Sequence, residues 1–155
     1  MGAADPGEVV TVSLGSESIQ TQADHSGRWR VYLSSREAGG PRVLTIEGTN
    51  RIVSRNVLVG EVWVCSGQSN MQWPVSGAAN AESEIATADW PDLRLFTVKK
   101  RISGKPLLNL EGAWSECTPE TIPDFSAVAY FFGRDIHQKV GVPVGLIDFS
   151  RAELP

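Results

Sequence analysis

Ser69 is the side chain in this sequence best placed to act as a nucleophile. It stands in Ser66-Gly67-Gln68-Ser69-Asn70, directly after the apolar run Val62-Trp63-Val64-Cys65. Such a run reads as a strand buried on both faces. A turn at its carboxyl end exposes one hydroxyl where open α/β sheets place their chemistry. Gly67, two residues before the serine, permits the tight turn this requires. Small polar residues after a strand also make ordinary turns, so the local string supports a nucleophile and a plain turn about equally.

A serine hydroxyl becomes a nucleophile beside a base, with a group to orient that base and donors aimed at the developing oxyanion. The backbone N–H of Ser69, at a strand-to-helix turn, is a candidate oxyanion donor. The sequence has two histidines. His25 falls in the turn Asp24-His25-Ser26-Gly27. His137 falls in a helical pattern, near the end that leads into the next strand, which puts it at the opposite edge of the sheet from Ser69. Neither is expected to be the base, and the general base is left unassigned. Gln68, Asn70 and Trp73 flank the serine and are candidate substrate contacts. Cys65 and Cys117 are too few for a disulfide framework and lack metal-site spacing, so no metal or cofactor is expected. Cys65 reads as a small buried hydrophobe, and whether the two cysteines are joined is left open.

With 14 basic and 18 acidic residues the net charge is −4, and the longest basic cluster is Lys99-Lys100-Arg101. Nucleic-acid binding therefore has no electrostatic footprint. Hydrophobic residues at 41% and charged residues at 21% indicate a globular chain. No apolar stretch approaches the roughly 18 residues of a membrane span, and the amino terminus lacks basic and apolar leader regions.

The elements that must hold Ser69 follow from periodicity. Residues 1–56 carry short alternating segments (Val10, Val12 and Leu14; Trp29, Val31 and Leu33; Leu44 and Ile46) with turns expected at 24–27 and 38–41. They read as a small antiparallel, sandwich-like β module. From 57 the pattern changes: an apolar run over 57–65 as a central parallel strand, an Ala- and Glu-rich helix over 78–88, and a strand over 93–98. Residues 103–120 read as a long loop. Phe125, Val128, Phe132, Ile136 and Val140 predict a helix, with Asp124 or Ser126 as cap and Gly141 as stop. A third parallel strand covers 143–150. Arg134 and Asp135 read as surface charge, with Arg134 a candidate for a structural ion pair.

Two long motifs carry a family resemblance. Val59-Gly60-Glu61-Val62-Trp63-Val64-Cys65-Ser66-Gly67-Gln68-Ser69-Asn70-Met71 with Trp73-Pro74 resembles the first signature block of the sialate O-acetylesterases and related carbohydrate esterases, within the SGNH class. Trp114, Cys117-Thr118-Pro119-Glu120 and 125–134 resemble a second block, and Ala4-Asp5-Pro6-Gly7-Glu8, Gly27-Arg28-Trp29 and 38–41 match the family's upstream β segment. The resemblance implies a three-layer α/β/α hydrolase domain, hydrolysis of acetyl esters on sugars, Ser69 as nucleophile and a secreted or periplasmic setting. It also implies oxyanion donors from a glycine after the third strand and from a later asparagine, and a base from a downstream histidine. Instead the sequence runs Asp148-Phe149-Ser150-Arg151-Ala152-Glu153-Leu154-Pro155. Residues 57–155 are accordingly expected to be the first part of the domain, truncated and incomplete as a catalyst. An interrupted sheet leaves an apolar edge for homo-oligomerisation or for a split partner. Trp63, Trp73 and Trp114 are candidates for core or for a sugar-binding face.

Overall fold

The computed structural model describes residues 1–99 and 111–150. The chain forms two compact units, Met1–Val59 and Gly60–Pro155.

The first unit contains β1 (Gly2–Ala3), β2 (Val9–Leu14), β3 (Glu17–Gln22), β4 (Arg28–Trp29), β5 (Gly39–Glu47) and β6 (Arg51–Val59). Strands β3-β2-β5-β6 form an antiparallel sheet, and β1 pairs with β4. Alternation sends Val10, Val12 and Leu14 to one face, where they are buried along with Ala23 and Trp29. Val31 and Leu33 pack on this core from outside any strand, so the alternating segment from Trp29 is only partly laddered. The expected turn at 38–41 opens β5 instead. Gly39 and Gly40 have φ of 130° and 156°. A Cβ at Gly40 would lie 2.9 Å from the Val57 carbonyl oxygen, so only glycine lets β5 and β6 approach there. The turn at 24–27 closes on Asp24, whose Oδ1 accepts from the Ser26 hydroxyl (2.7 Å), the Ser26 N–H (2.8 Å) and the Arg28 N–H (3.0 Å). The Ser26 hydroxyl bond foremost lowers its pKa to about 2.

The second unit contains β7 (Glu61–Gly67), 3₁₀ turns at Ser69–Gln72 and Val75–Gly77, α1 (Ala81–Ala86), β8 (Trp90–Thr97), β9 (Trp114–Cys117), α2 (Ala127–Val140) and β10 (Val144–Ser150). The sheet order is β7-β10-β8-β9, with β10 parallel to both β7 and β8 and with β9 antiparallel to β8. The fold is α/β.

The central strand expected over 57–65 is not formed as such. Gly60 divides the run: Val57–Val59 ends β6, and among the described residues β7 lies at the edge of the sheet because the later β10 inserts between it and β8. Val62 and Val64 are 60% and 67% exposed, so this strand is not buried on both faces. An apolar run reports that both faces of a strand want cover. It does not report strand order.

The helix expected over 78–88 is only six residues long, because left-handed Asn80 (φ 58°) separates it from the preceding 3₁₀ turn. Strand β8 begins at Trp90, and β9 forms within the stretch expected as a loop, whose residues 103–110 lie outside the described ones.

Helix α2 forms where the spacing predicts it, but Val128, Phe132 and Val140 of the expected apolar face are exposed. Ala127, Ala129, Tyr130 and Gly133 are the residues it buries, because small side chains let the helix approach the sheet closely. Ser126 caps the helix by accepting the Ala129 N–H at 3.3 Å, and Gly141 ends it at φ 71°. It packs on the Val144/Leu146 face of the sheet. Tyr130 and Leu146 are fully buried, and a Cβ on Gly133 would lie 2.5 Å from Leu146 Cδ1. The opposite face, with Val62, Val64, Phe96, Trp114 and Phe149, carries no helix among the described residues. Two of the three expected layers are thus described.

Cys65 and Cys117 are free and buried. Burial raises the Cys117 thiol to about 12, and burial followed by the Asp148 carboxylate raises Cys65. Both are expected to resist a thiol-specific disulfide reagent at pH 8 and to react fully in denaturant. Because the fold favours the protonated thiols, their contribution to stability is complete below the ordinary thiol pKa near 9. It should disappear as pH rises through about 12, which alkaline unfolding of Cys117→Ser against the parent checks.

Candidate active site

Ser69 begins a 3₁₀ turn two residues beyond the carboxyl end of β7, and it is exposed. Gly67 is required by packing: a Cβ there would lie 2.5 Å from Met71 Cγ, the side chain the turn folds back against the strand. Gln68 has extended backbone (φ −88°, ψ −156°) and its carbonyl accepts the Met71 N–H at 2.9 Å, which closes the turn. Gln68 and Asn70 are exposed beside Ser69, and Trp73 caps the turn with 59% exposure. Sequence and structure therefore agree in bringing Gln68, Ser69, Asn70 and Trp73 to one turn at the carboxyl edge of a parallel strand. The first N–H groups of a helical turn have no acceptor within it, so the Ser69 end presents donors as well as a hydroxyl.

The segment after the serine is strapped to the start of α2. The Trp73 carbonyl accepts the Ala127 N–H at 2.8 Å, the Val75 N–H donates to Phe125 at 3.0 Å, and the Ser76 N–H donates to Pro123 at 2.9 Å. Val75 is fully buried beneath these bonds. Farther along, Arg134 pairs with Glu84 of α1 and lies over the rings of Tyr130 and Phe131, 5.2 and 5.0 Å from their centroids. The Glu84 and Tyr130 hydrogen bonds raise the Arg134 pKa against the opposing effect of burial. Arg134 is the structural ion pair foreseen, whereas Asp135 pairs with Lys139 one turn on, at 2.8 Å.

His137 lies at the amino-terminal edge of the sheet. Its Nδ1 is 2.7 Å from the Val142 carbonyl, and its ring meets Trp90, the first residue of β8, edge-on at 6.0 Å. His25 lies in the exposed turn of the first unit. Asp148, which the sequence reading passed over, is 7% exposed on the α2 face of β10, in register with Cys65. A lone carboxylate inside Leu146-Ile147-Asp148-Phe149 was the signal available. Trp63 stacks edge-on with Phe132 and Trp114 tilts against Phe96, each with centroids 5.2 Å apart. Among the described residues no His/Cys/Asp/Glu cluster suits a metal.

The mostly parallel α/β sheet that carries this serine turn is similar in fold to a carbohydrate acetylesterase. The chain superposes on the crystal structure of one from Xanthomonas citri with a TM-score of 0.93 and 36% identity, over 96% of this chain and 35% of that one. It is 34% identical to rat sialate O-acetylesterase over 99% of its length and 32% of the relative's. The human protein gives 33% identity over 99% and 33%. No family model matches the sequence. Over nearly its whole length the chain is similar to sialate O-acetylesterases and to a carbohydrate acetylesterase, and it spans about one third of the length of these relatives.

Proposed function

We propose that this chain supplies the nucleophile of an SGNH-type serine esterase that removes acetyl groups from sugars. The observation carrying the reading is the exposed Ser69 on a strapped turn at the carboxyl end of β7. The likeness to sialate O-acetylesterases and to a carbohydrate acetylesterase supports it. Ser69 Oγ attacks the acetyl carbonyl and its own N–H is one donor to the oxyanion, while Gln68 and Asn70 flank the leaving sugar. The Ser69 proton passes to a base other than His137, which is held at the far edge of the sheet. On this reading the described residues of the second unit do not complete the catalyst. The test is covalent capture: a fluorophosphonate should add its mass to the Ser69 peptide slowly in the chain alone and faster once a base is supplied. No adduct under either condition refutes the nucleophile.

A second reading concerns association. Val62, Val64 and Phe149 share the face that carries no helix among the described residues, beside the β7 edge, and Phe149 and Trp114 are 46% and 49% exposed. Parallel sheets are normally covered on both faces, so this surface favours a second polypeptide, with another copy of the chain the simplest candidate. Sedimentation at micromolar concentration is expected to show association that Val64→Lys shifts toward monomer. A clean monomer before substitution removes the reading.

A further inference from the structure

We propose that Trp73 is the platform on which the sugar bearing the ester stacks, and that it selects a neutral pyranose. This rests on the esterase reading of Ser69. Trp63 and Trp114, also exposed, each lean on a neighbouring ring, but among the described residues no ring pairs with Trp73. Its polar handle is already used: the indole N–H donates to the Gly77 carbonyl at 2.8 Å. A Cβ at Gly77 would come within 2.9 Å of Nε1 and 3.2 Å of Cε2, so glycine is what lets the ring lie against this loop. The Trp73 carbonyl is held by the Ala127 N–H at 2.8 Å.

The ring is therefore oriented before any ligand arrives, and stacking on it forfeits little side-chain entropy. Four residues of 3₁₀ geometry, at about 2 Å of rise each, put the Trp73 backbone roughly 8 Å along the turn from that of Ser69, within the reach of an acetylated sugar. Residues 62–81 contain no charged side chain, and the charge in the strapping segment 123–127 is the carboxylate of Asp124. A neutral sugar face suits those two segments, whereas an anionic sugar finds no cation in either of them.

The test uses the 155-residue chain, with methyl 6-O-acetyl-glucopyranoside as neutral probe and 9-O-acetyl-N-acetylneuraminate as acidic probe. The neutral ester should shift the Trp73 indole N–H resonance, assigned by its loss in Trp73→Phe. Trp73→Ala should weaken binding about tenfold while Trp73→Phe retains most of it. The amide resonances of residues 68–72 should keep their parent positions in Trp73→Phe, which separates stacking from support of the turn. An unmoved indole resonance, full affinity in Trp73→Ala, or equal Trp73-dependent binding of the acidic ester overturns the proposal. Sugar binding through Trp73 without any Ser69 adduct overturns the esterase reading and leaves the platform standing.

Discussion

Ser69→Ala is expected to abolish fluorophosphonate capture completely. Its effect on acetyl-ester turnover should depend on whether a base is in reach. Nucleophile and base act as a unit, so removing the serine from a working pair costs about 10⁶-fold in kcat. Where the base is already missing, what remains is the roughly 10³–10⁴-fold that oxyanion donors and binding give over water, and that remainder does not use the serine hydroxyl. For the chain alone the expected change in turnover is therefore less than about tenfold. In a preparation that also contains a polypeptide carrying the base, it is about 10⁶-fold. The two measurements test different statements. A loss of about 10⁴-fold or more in the chain alone would mean that its own residues supply a base, and the proposed incompleteness would fall. Retention of turnover by Ser69→Ala in the base-containing preparation would remove Ser69 as nucleophile.

Gly60→Ala should produce a large loss of stability from a single methyl group. A Cβ at Gly60 would lie 2.0 Å from the Pro143 carbonyl oxygen and 2.7 Å from its carbonyl carbon. Both are backbone atoms and cannot swing aside as a side chain would. Relieving the overlap separates the start of β7 from the residue preceding β10 and breaks the Glu61 N–H bond to the same carbonyl, now 3.0 Å. Overpacking at about 1–3 kcal/mol and a lost hydrogen bond at about 1 give roughly 2–4 kcal/mol. Native-state amide exchange in β7 and β10 reads this as about 30- to 700-fold less protection, and it avoids fitting one transition to a chain of two units. Gly141→Ala is the comparison: nothing lies within 4 Å of its Cβ, so only the left-handed φ of 71° is penalised, at about 1 kcal/mol. If Gly60→Ala exchanges like the parent, the close approach of β7 to Pro143 is wrong. Because β7 carries Ser69 at its other end, the same substitution should also slow phosphonate capture.

The sequence by itself determined what depends on near neighbours. The capped helix α2 was legible because Ser126, Gly141 and an apolar spacing of three and four are local signals. The serine turn was legible because Gly67-Gln68-Ser69-Asn70 follows an apolar run and matches a family motif. His137 was placed at the far edge by counting along α2. Tertiary structure decided what depends on partners distant in the chain. Strand order was one such outcome: β10 pairs with β7 from about eighty residues away, which among the described residues leaves β7 at the edge although its composition reads as central. The split of the 57–65 run at Gly60 was another, since the close approach that demands glycine comes from Pro143. Trp73 was visible as an aromatic near the serine. That its indole is pinned by Gly77 and its carbonyl by Ala127 is settled only by the fold, because hydrogen bonds and packing across the chain leave no period in the sequence.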